Sequence, residues 1–180
     1  MSLVRRIVAV VVVALGACAF YLFCVLPYRC NVVKKTQLLS TQYAFDRAGT
    51  TVGTIRARQN VDALLRCADV ICGDVSLDML LAANYRVLRQ YDQAIAHYRD
   101  ALGRDPRPEI YVNLAEVEIA IGDRNAARAD LVRAALFNAW MISRIDDGLL
   151  RQEVVREVIA LHPEHAAYIR EIDSVPPSGP

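Results

Sequence analysis

Apolar and polar residues divide the chain into an apolar N-terminal run and a longer amphipathic part. Residues 7–26 form a run of twenty with no charge and no proline. At a rise of 1.5 Å per residue, such a helix would span about 30 Å, the hydrocarbon thickness of a bilayer. Because backbone groups inside lipid must be hydrogen-bonded within their own segment, the run predicts one transmembrane helix. We place it in an anchor segment of residues 1–29.

The run has three competing interpretations. The first is an uncleaved anchor, and the second is a secretory signal cleaved at the small residues 17–19. The third is a lipoprotein signal, because residues 15–18 (LGAC) resemble a lipobox whose Cys18 is lipidated. Cleavage after residue 19 would leave the apolar stub FYLFCVL in water, whereas an uncleaved helix buries it. The sequence therefore favours the anchor.

The charges that flank the run do not fix its orientation by count alone. Arg5 and Arg6 precede it together with the amino group, and Arg29, Lys34 and Lys35 follow it. The very short tail before the two arginines is typical of a signal anchor, which keeps its N-terminus in the cytoplasm. We therefore expect a single-pass protein of a bacterial inner membrane with its soluble domain in the periplasm.

Beyond the anchor, apolar residues recur at three- and four-residue steps, as on one face of a helix. Residues 32–48 predict a helix that the glycine-rich stretch 49–53 ends, and residues 54–70 predict a second. Residues 30–72 thus form a helical linker and a pre-repeat helix. No alternating strand pattern occurs, so the expected fold class is all-α.

An internal repeat follows at residues 73–139. Five residues of one segment recur 33 positions later: Leu81, Ala82, Ala94, Tyr98 and Ala101 return as Leu114, Ala115, Ala127, Leu131 and Ala134. Small residues at fixed places let two antiparallel helices approach closely, and larger ones fill the gap to the next pair. A period in the thirties with two helices per unit indicates a helical solenoid.

At these residues the chain resembles the tetratricopeptide repeat family. The units are residues 75–107 and 108–138, and the string NLAEVEIAIGDRNAARADLVRAAL of the second unit carries most of the resemblance. Ala139 stands where the family has a closing proline. Residues 140–173 predict helices that cap the stack, and residues 174–180 predict a disordered tail.

The resemblance implies a concave groove lined by the first helix of each unit. The residues that would line it are Met79, Ala83, Arg86, Val112, Asn113, Glu116 and Ile119. This surface is half apolar and half charged, which suits a helix or an extended segment of another protein. It would equally suit a helix of this chain folding back.

The cysteine spacing predicts a disulfide. Cys67 and Cys72 lie five residues apart at the end of a helical pattern, so they could pair if the helix ends between them. The alternative is two free thiols in a reducing compartment. A single CxxxxC without a second pair is not a zinc pattern.

The sequence offers little catalytic chemistry. It contains no glycine-rich phosphate loop, no HExxH and no GxSxG. His162 and His165 are three apart, but the proline between them spoils one-face geometry. We therefore predict no enzyme, no metal and no cofactor. Without Arg5 and Arg6 the chain has 19 basic against 20 acidic residues, so nucleic acid is not an expected partner.

These patterns predict a non-enzymatic, membrane-anchored scaffold that serves as an accessory subunit of a bacterial envelope complex. Its partners would be membrane or envelope proteins, bound through the groove and through the span. Within the span, Ala14 and Cys18 form a small-xxx-small pair that permits close helix approach in the lipid bilayer. The alternatives are a transient assembly or secretion factor for pili, polysaccharide or the outer membrane, and a lipoprotein lipidated at Cys18.

Overall fold

A computed structural model describes residues 3–71 and 73–174 of the chain, and within these ranges it contains helices and no strand. The predicted all-α class is therefore confirmed. The α-helices are α1 (Leu3–Phe20), α2 (Leu26–Phe45), α3 (Thr51–Ala68), α4 (Val75–Val87), α5 (Tyr91–Arg104), α6 (Pro108–Ile121), α7 (Arg124–Phe137), α8 (Gly148–Leu161) and α9 (Ala166–Asp173). Short 3₁₀ helices lie at Ala139–Arg144 and Pro163–His165.

The N-terminal helix runs from α1 into α2 through one wide turn. A π-helical segment, Tyr21–Val25, joins the two, and the Leu26 N–H bonds to the Tyr21 carbonyl five residues back. Pro27 lies just beyond this turn and has no N–H to offer the helix, which accounts for the local widening. The stretch that starts at Ile7 is long and apolar enough to cross a membrane, by length and composition.

The turn between α2 and α3 differs from the expected glycine break. It spans residues 46–50, and α3 already begins at Thr51, where Thr50 caps the helix by accepting from the Gly53 N–H at 3.1 Å. Gly53 lies inside α3. A glycine is needed there because a Cβ would collide with the Arg47 carbonyl oxygen. This glycine therefore permits close packing of the two helices and does not end one of them.

Each α-helix from α2 to α9 packs against the next, and α2 also contacts α4. Because the connections from α2 to α7 are short, these neighbours run antiparallel. All ten residues of the 33-residue repeat are buried: Leu81, Ala82, Ala94, Tyr98, Ala101, Leu114, Ala115, Ala127, Leu131 and Ala134. The sequence repeat is thus also a repeat of core positions.

The C-terminal end of the stack is built on α7. The 3₁₀ helix Ala139–Arg144 packs against α7 and α9, and Asp147 caps α8 by accepting from the N–H groups of Leu149 and Leu150. Ile142, Leu150 and Val154 fill the core there. Of the predicted tail, residues 175–180 lie outside the described ranges.

Candidate functional site

A groove with a cavity volume of about 620 Å³ lies between α2, α4 and α6. Its apolar floor and its polar rim come from helices far apart in sequence. The residues that line this groove are Lys34, Lys35, Leu38, Thr41, Gln42, Phe45, Ser76, Met79, Leu80, Ala83, Arg86, Tyr98, Asn113, Glu116 and Arg144.

The structure brings five of the seven predicted groove residues together in this groove: Met79, Ala83, Arg86, Asn113 and Glu116. Val112 is not among them, because only 1% of it is exposed and it packs in the core toward α7 and α8. Ile119 is 45% exposed but does not line the groove. The prediction that Val112 and Ile119 belong to the groove is therefore corrected.

One wall of the groove was missed by sequence reasoning. α2 contributes six lining residues, including Lys35, Leu38 and Phe45, although this segment was interpreted as a linker. A signal was present in the sequence, since the helical pattern continues without a break from the apolar run into residue 45. What the sequence does not show is that α2 turns a face toward α4.

Charged side chains connect the walls of the groove. Arg86 of α4 pairs with Glu116 of α6, and its guanidinium lies 4.9 Å from the centre of the Phe45 ring of α2. At the other end, Lys34 pairs with Asp74, the residue that caps α4. Partial burial opposes ionisation of Asp74, but its hydrogen bonds with Lys34 and the Leu77 N–H outweigh this and lower its pKa.

Two cations at the rim have no acidic partner within the described part of the chain. Lys35 and Arg144 are both exposed and line the groove, and neither makes an ion pair there. Since Lys34 and Arg86 are paired with acidic residues, Lys35 and Arg144 give the rim a net positive charge. A ligand with acidic groups beside apolar ones matches this surface.

A buried polar network holds α2 in place. Ser40 donates to Asn60 at 2.7 Å, Asn60 donates to Asn84 at 2.9 Å, and Asn84 donates to Thr41 at 2.8 Å. Asn60 and Asn84 are 2% and 0% exposed. A satisfied buried network specifies one arrangement of the elements that it joins. It fixes the position of α2 against α3 and α4.

A disulfide adds a covalent link between α2 and α3. It joins Cys30 to Cys67, whose Cα atoms are 5.3 Å apart. The predicted pairing of Cys67 with Cys72 is therefore wrong. Cys67 is still inside α3, and the antiparallel packing places the start of α2 beside it. Cys72 lies outside the described residues.

The two cysteines of the apolar helix, unlike Cys30 and Cys67, are not in a disulfide among the described residues. Cys18 and Cys24 are free and exposed. Lipidation of Cys18 stays a prediction, since an exposed thiol on this helix fits an anchor equally well.

One group of three potential metal ligands occurs elsewhere in the described residues. The ligand atoms of Asp78, His97 and Asp100 lie within 4.8 Å of one another. However, Asp78 uses one oxygen for His97 Nδ1 at 3.0 Å and the other for Arg104. This cluster therefore acts as an ion-pair network between α4 and α5. At the C-terminal end, His162 Nδ1 lies 3.0 Å from an exposed Glu164 carboxylate.

No family model, curated protein or solved structure matches this chain. The resemblance to the tetratricopeptide repeat therefore rests on the sequence pattern alone.

Proposed function

We propose that this chain is a non-enzymatic, single-span membrane protein whose helical domain holds a segment of a partner protein. The observation that carries the proposal is the groove, with its apolar floor and two rim cations that pair with no acidic group among the described residues. Its volume of about 620 Å³ is in the range of ligand pockets, roughly 300–1,000 Å³. The domain would be a tetratricopeptide-type solenoid, as the burial of both copies of the 33-residue pattern supports.

The apolar helix supports the membrane part of the proposal. Within the part of the chain that the structure describes, its large side chains are mostly uncovered: Val13, Leu15 and Phe23 are 71%, 65% and 81% exposed. Apolar surface of this extent is stable when lipid covers it. We place the span at residues 7–26, in a bacterial inner membrane.

The Cys30–Cys67 disulfide supports the orientation. Disulfides persist in oxidising compartments such as the periplasm and are rare in the cytosol. Both cysteines lie on the C-terminal side of the span. We therefore infer a periplasmic domain and a cytoplasmic N-terminus.

The continuous helix sets the distance between the groove and the bilayer. From Leu26, the end of the span, to the groove residues Lys34 and Phe45 is about 12 Å and about 29 Å along the helix axis. A partner must therefore present its segment close to the membrane surface. This favours an accessory subunit that binds a membrane or envelope protein through an apolar segment with acidic flanks.

A pull-down with matched groove variants tests the proposal. Ala83→Trp fills the groove, whereas Ala96→Trp makes the same change at an exposed position of α5. Full-length protein is solubilised in gentle detergent, and co-purifying proteins are identified by mass spectrometry. We expect the wild type and Ala96→Trp to retain the same partner and Ala83→Trp to lose it. Circular dichroism of each variant controls for folding.

Charge reversal at the rim provides a second comparison. Lys35→Glu with Arg144→Glu should weaken partner recovery at least tenfold while leaving the core untouched, since both residues are exposed. A folded Ala83→Trp protein that recovers the full set of partners would refute the groove as the binding surface. A partner lost even in the mildest detergent would point to the transient factor instead of the subunit.

A further inference from the structure

A pair of buried carboxyl groups lies between α6 and α7, on the side of α6 away from the groove. Glu118 of α6 is 2% exposed and Asp130 of α7 is 5% exposed. They line a cleft between α5, α6 and α7 with a volume of about 410 Å³, whose wall also includes Tyr111 and Leu114. Two acidic groups in one poorly solvated place are costly unless a bound species compensates them.

The internal repeat shows that the fold does not require acids here. Tyr85 and His97 stand 33 positions before Glu118 and Asp130, and their rings stack with centroids 5.5 Å apart. One unit therefore fills the position with a ring pair, and the next fills it with two carboxyls. His97 also bonds to Asp78 at 3.0 Å, so the first unit satisfies its polar ring, whereas the second unit sets two carboxyls beside each other.

The surrounding charges leave one carboxylate oxygen without a partner. Arg99 of α5 reaches Glu118 Oε1 at 3.7 Å, and Arg133 of α7 pairs with Asp130 Oδ1 at 2.6 Å. Asp123, which caps α7, adds further negative charge. Glu118 Oε2 is buried and has no hydrogen-bond partner among the described residues. An ionised oxygen in such a place lacks a donor, and a protonated one is itself the donor.

The electrostatics of the cleft also oppose ionisation of Glu118. Burial and the charge of Asp130 raise the pKa of Glu118 to about 7, against the lowering effect of Arg99.

We propose that Glu118 and Asp130 form a proton-binding site that strengthens the packing of α6 against α7 when it holds one proton. Glu118 takes the proton from water, and its O–H on Oε2 then donates to the Asp130 carboxylate, which keeps its pair with Arg133. When the proton leaves, two like charges face each other in the cleft. The stability of the domain thereby becomes sensitive to the pH of its compartment. This pH sensitivity does not depend on what the groove binds.

The sign of the effect follows from linkage. A carboxyl with a pKa that is higher in the folded than in the unfolded chain contributes stability that is present at low pH. That stability is lost as pH rises through the folded value. Stability should therefore fall between pH 5 and pH 8.

Thermal unfolding of the full chain in nanodiscs tests the site. We expect the unfolding temperature of the wild type to fall by about 5 °C between pH 5 and pH 8. In Glu118→Gln, which cannot ionise, most of this slope should vanish. Glu109→Gln is the matched control, because Glu109 is exposed in the first turn of the same helix, and it should keep the wild-type slope.

A second variant and a direct readout protect the test against misfolding. Glu118→Tyr installs the residue that the first unit carries at this position, and it should also flatten the slope. Infrared difference spectra should show a protonated carboxyl band at pH 5 that Glu118→Gln removes. Equal slopes in the wild type and both Glu118 variants, or the absence of that band, would overturn the proposal.

Discussion

Asn84 shows how much of this fold depends on single polar side chains. Its amide is fully buried and donates both to Thr41 and to the Leu80 carbonyl, while its oxygen accepts from Asn60. Three helices therefore meet at one side chain. Such a residue contributes to specificity of packing more than to burial of apolar area.

Removal of this amide should destabilise the domain. Asn84→Ala leaves buried groups of Asn60 and Thr41 without partners, so we expect a loss of about 2–4 kcal/mol in the free energy of unfolding. Urea denaturation of the full chain, followed by circular dichroism, measures it. Asn125→Ala, at an exposed position of α7, is the control and should change stability by less than about 0.5 kcal/mol. Similar losses for the two variants would mean that the network contributes little.

At the scale of residues, the sequence predicted apolar contacts better than polar ones. Ala94 and Ala127 were identified because a repeated small residue has one physical meaning, close helix approach. Asn84 was not, since an amide in an amphipathic pattern is ordinarily assigned to the solvent side. Its partner Thr41 lies 43 positions away, which no local periodicity reveals.

At the scale of elements, helix pairs held by small residues are the unit of construction. Ala94 and Ala127 are 0% exposed at equivalent positions of the two repeats, in α5 and α7. A tryptophan at either place would force apart helices that are in contact. The pairs therefore tolerate little change in volume at these two sites.

Overpacking tests this arrangement. We expect Ala94→Trp and Ala127→Trp each to cost about 3 kcal/mol or more and to unfold much of the soluble part. Ala96→Trp, on the exposed side of α5, should remain near wild-type stability. Thermal unfolding by circular dichroism provides the comparison. Unchanged unfolding temperatures for both buried substitutions would contradict the repeat assignment.

The role of α2 was the main feature at this scale that the sequence did not predict. Its periodicity was visible, but a helix that follows an apolar run looks the same whether it is a spacer or a wall of a groove. The difference lies in long-range contacts: the Asn60–Asn84–Thr41 network and the Lys34–Asp74 pair. Gly53 was misinterpreted for a related reason, since a glycine can end a helix or admit a neighbour.

At the scale of the whole molecule, the N-terminal helix and the helical domain are joined without a flexible linker. α2 continues from the apolar helix and is fixed to the domain by a disulfide, an ion pair and a buried network. In the proposed membrane setting, the groove would therefore be held at a set height above the bilayer. A rigid attachment also preserves the direction in which the groove faces.

The disulfide makes both the attachment and the orientation testable. It closes a loop of 37 residues, so Cys30→Ser should lower the free energy of unfolding by about 4 kcal/mol in the chain-entropy description. In protein taken from membranes and unfolded without reductant, site-resolved peptide mass spectrometry should find Cys67 unalkylated. It should become alkylated after reduction, or without reductant in the Cys30→Ser variant, which serves as the control. Complete alkylation of Cys30 and Cys67 in the unreduced wild type would place the domain in a reducing compartment, and the proposed orientation would then be reversed.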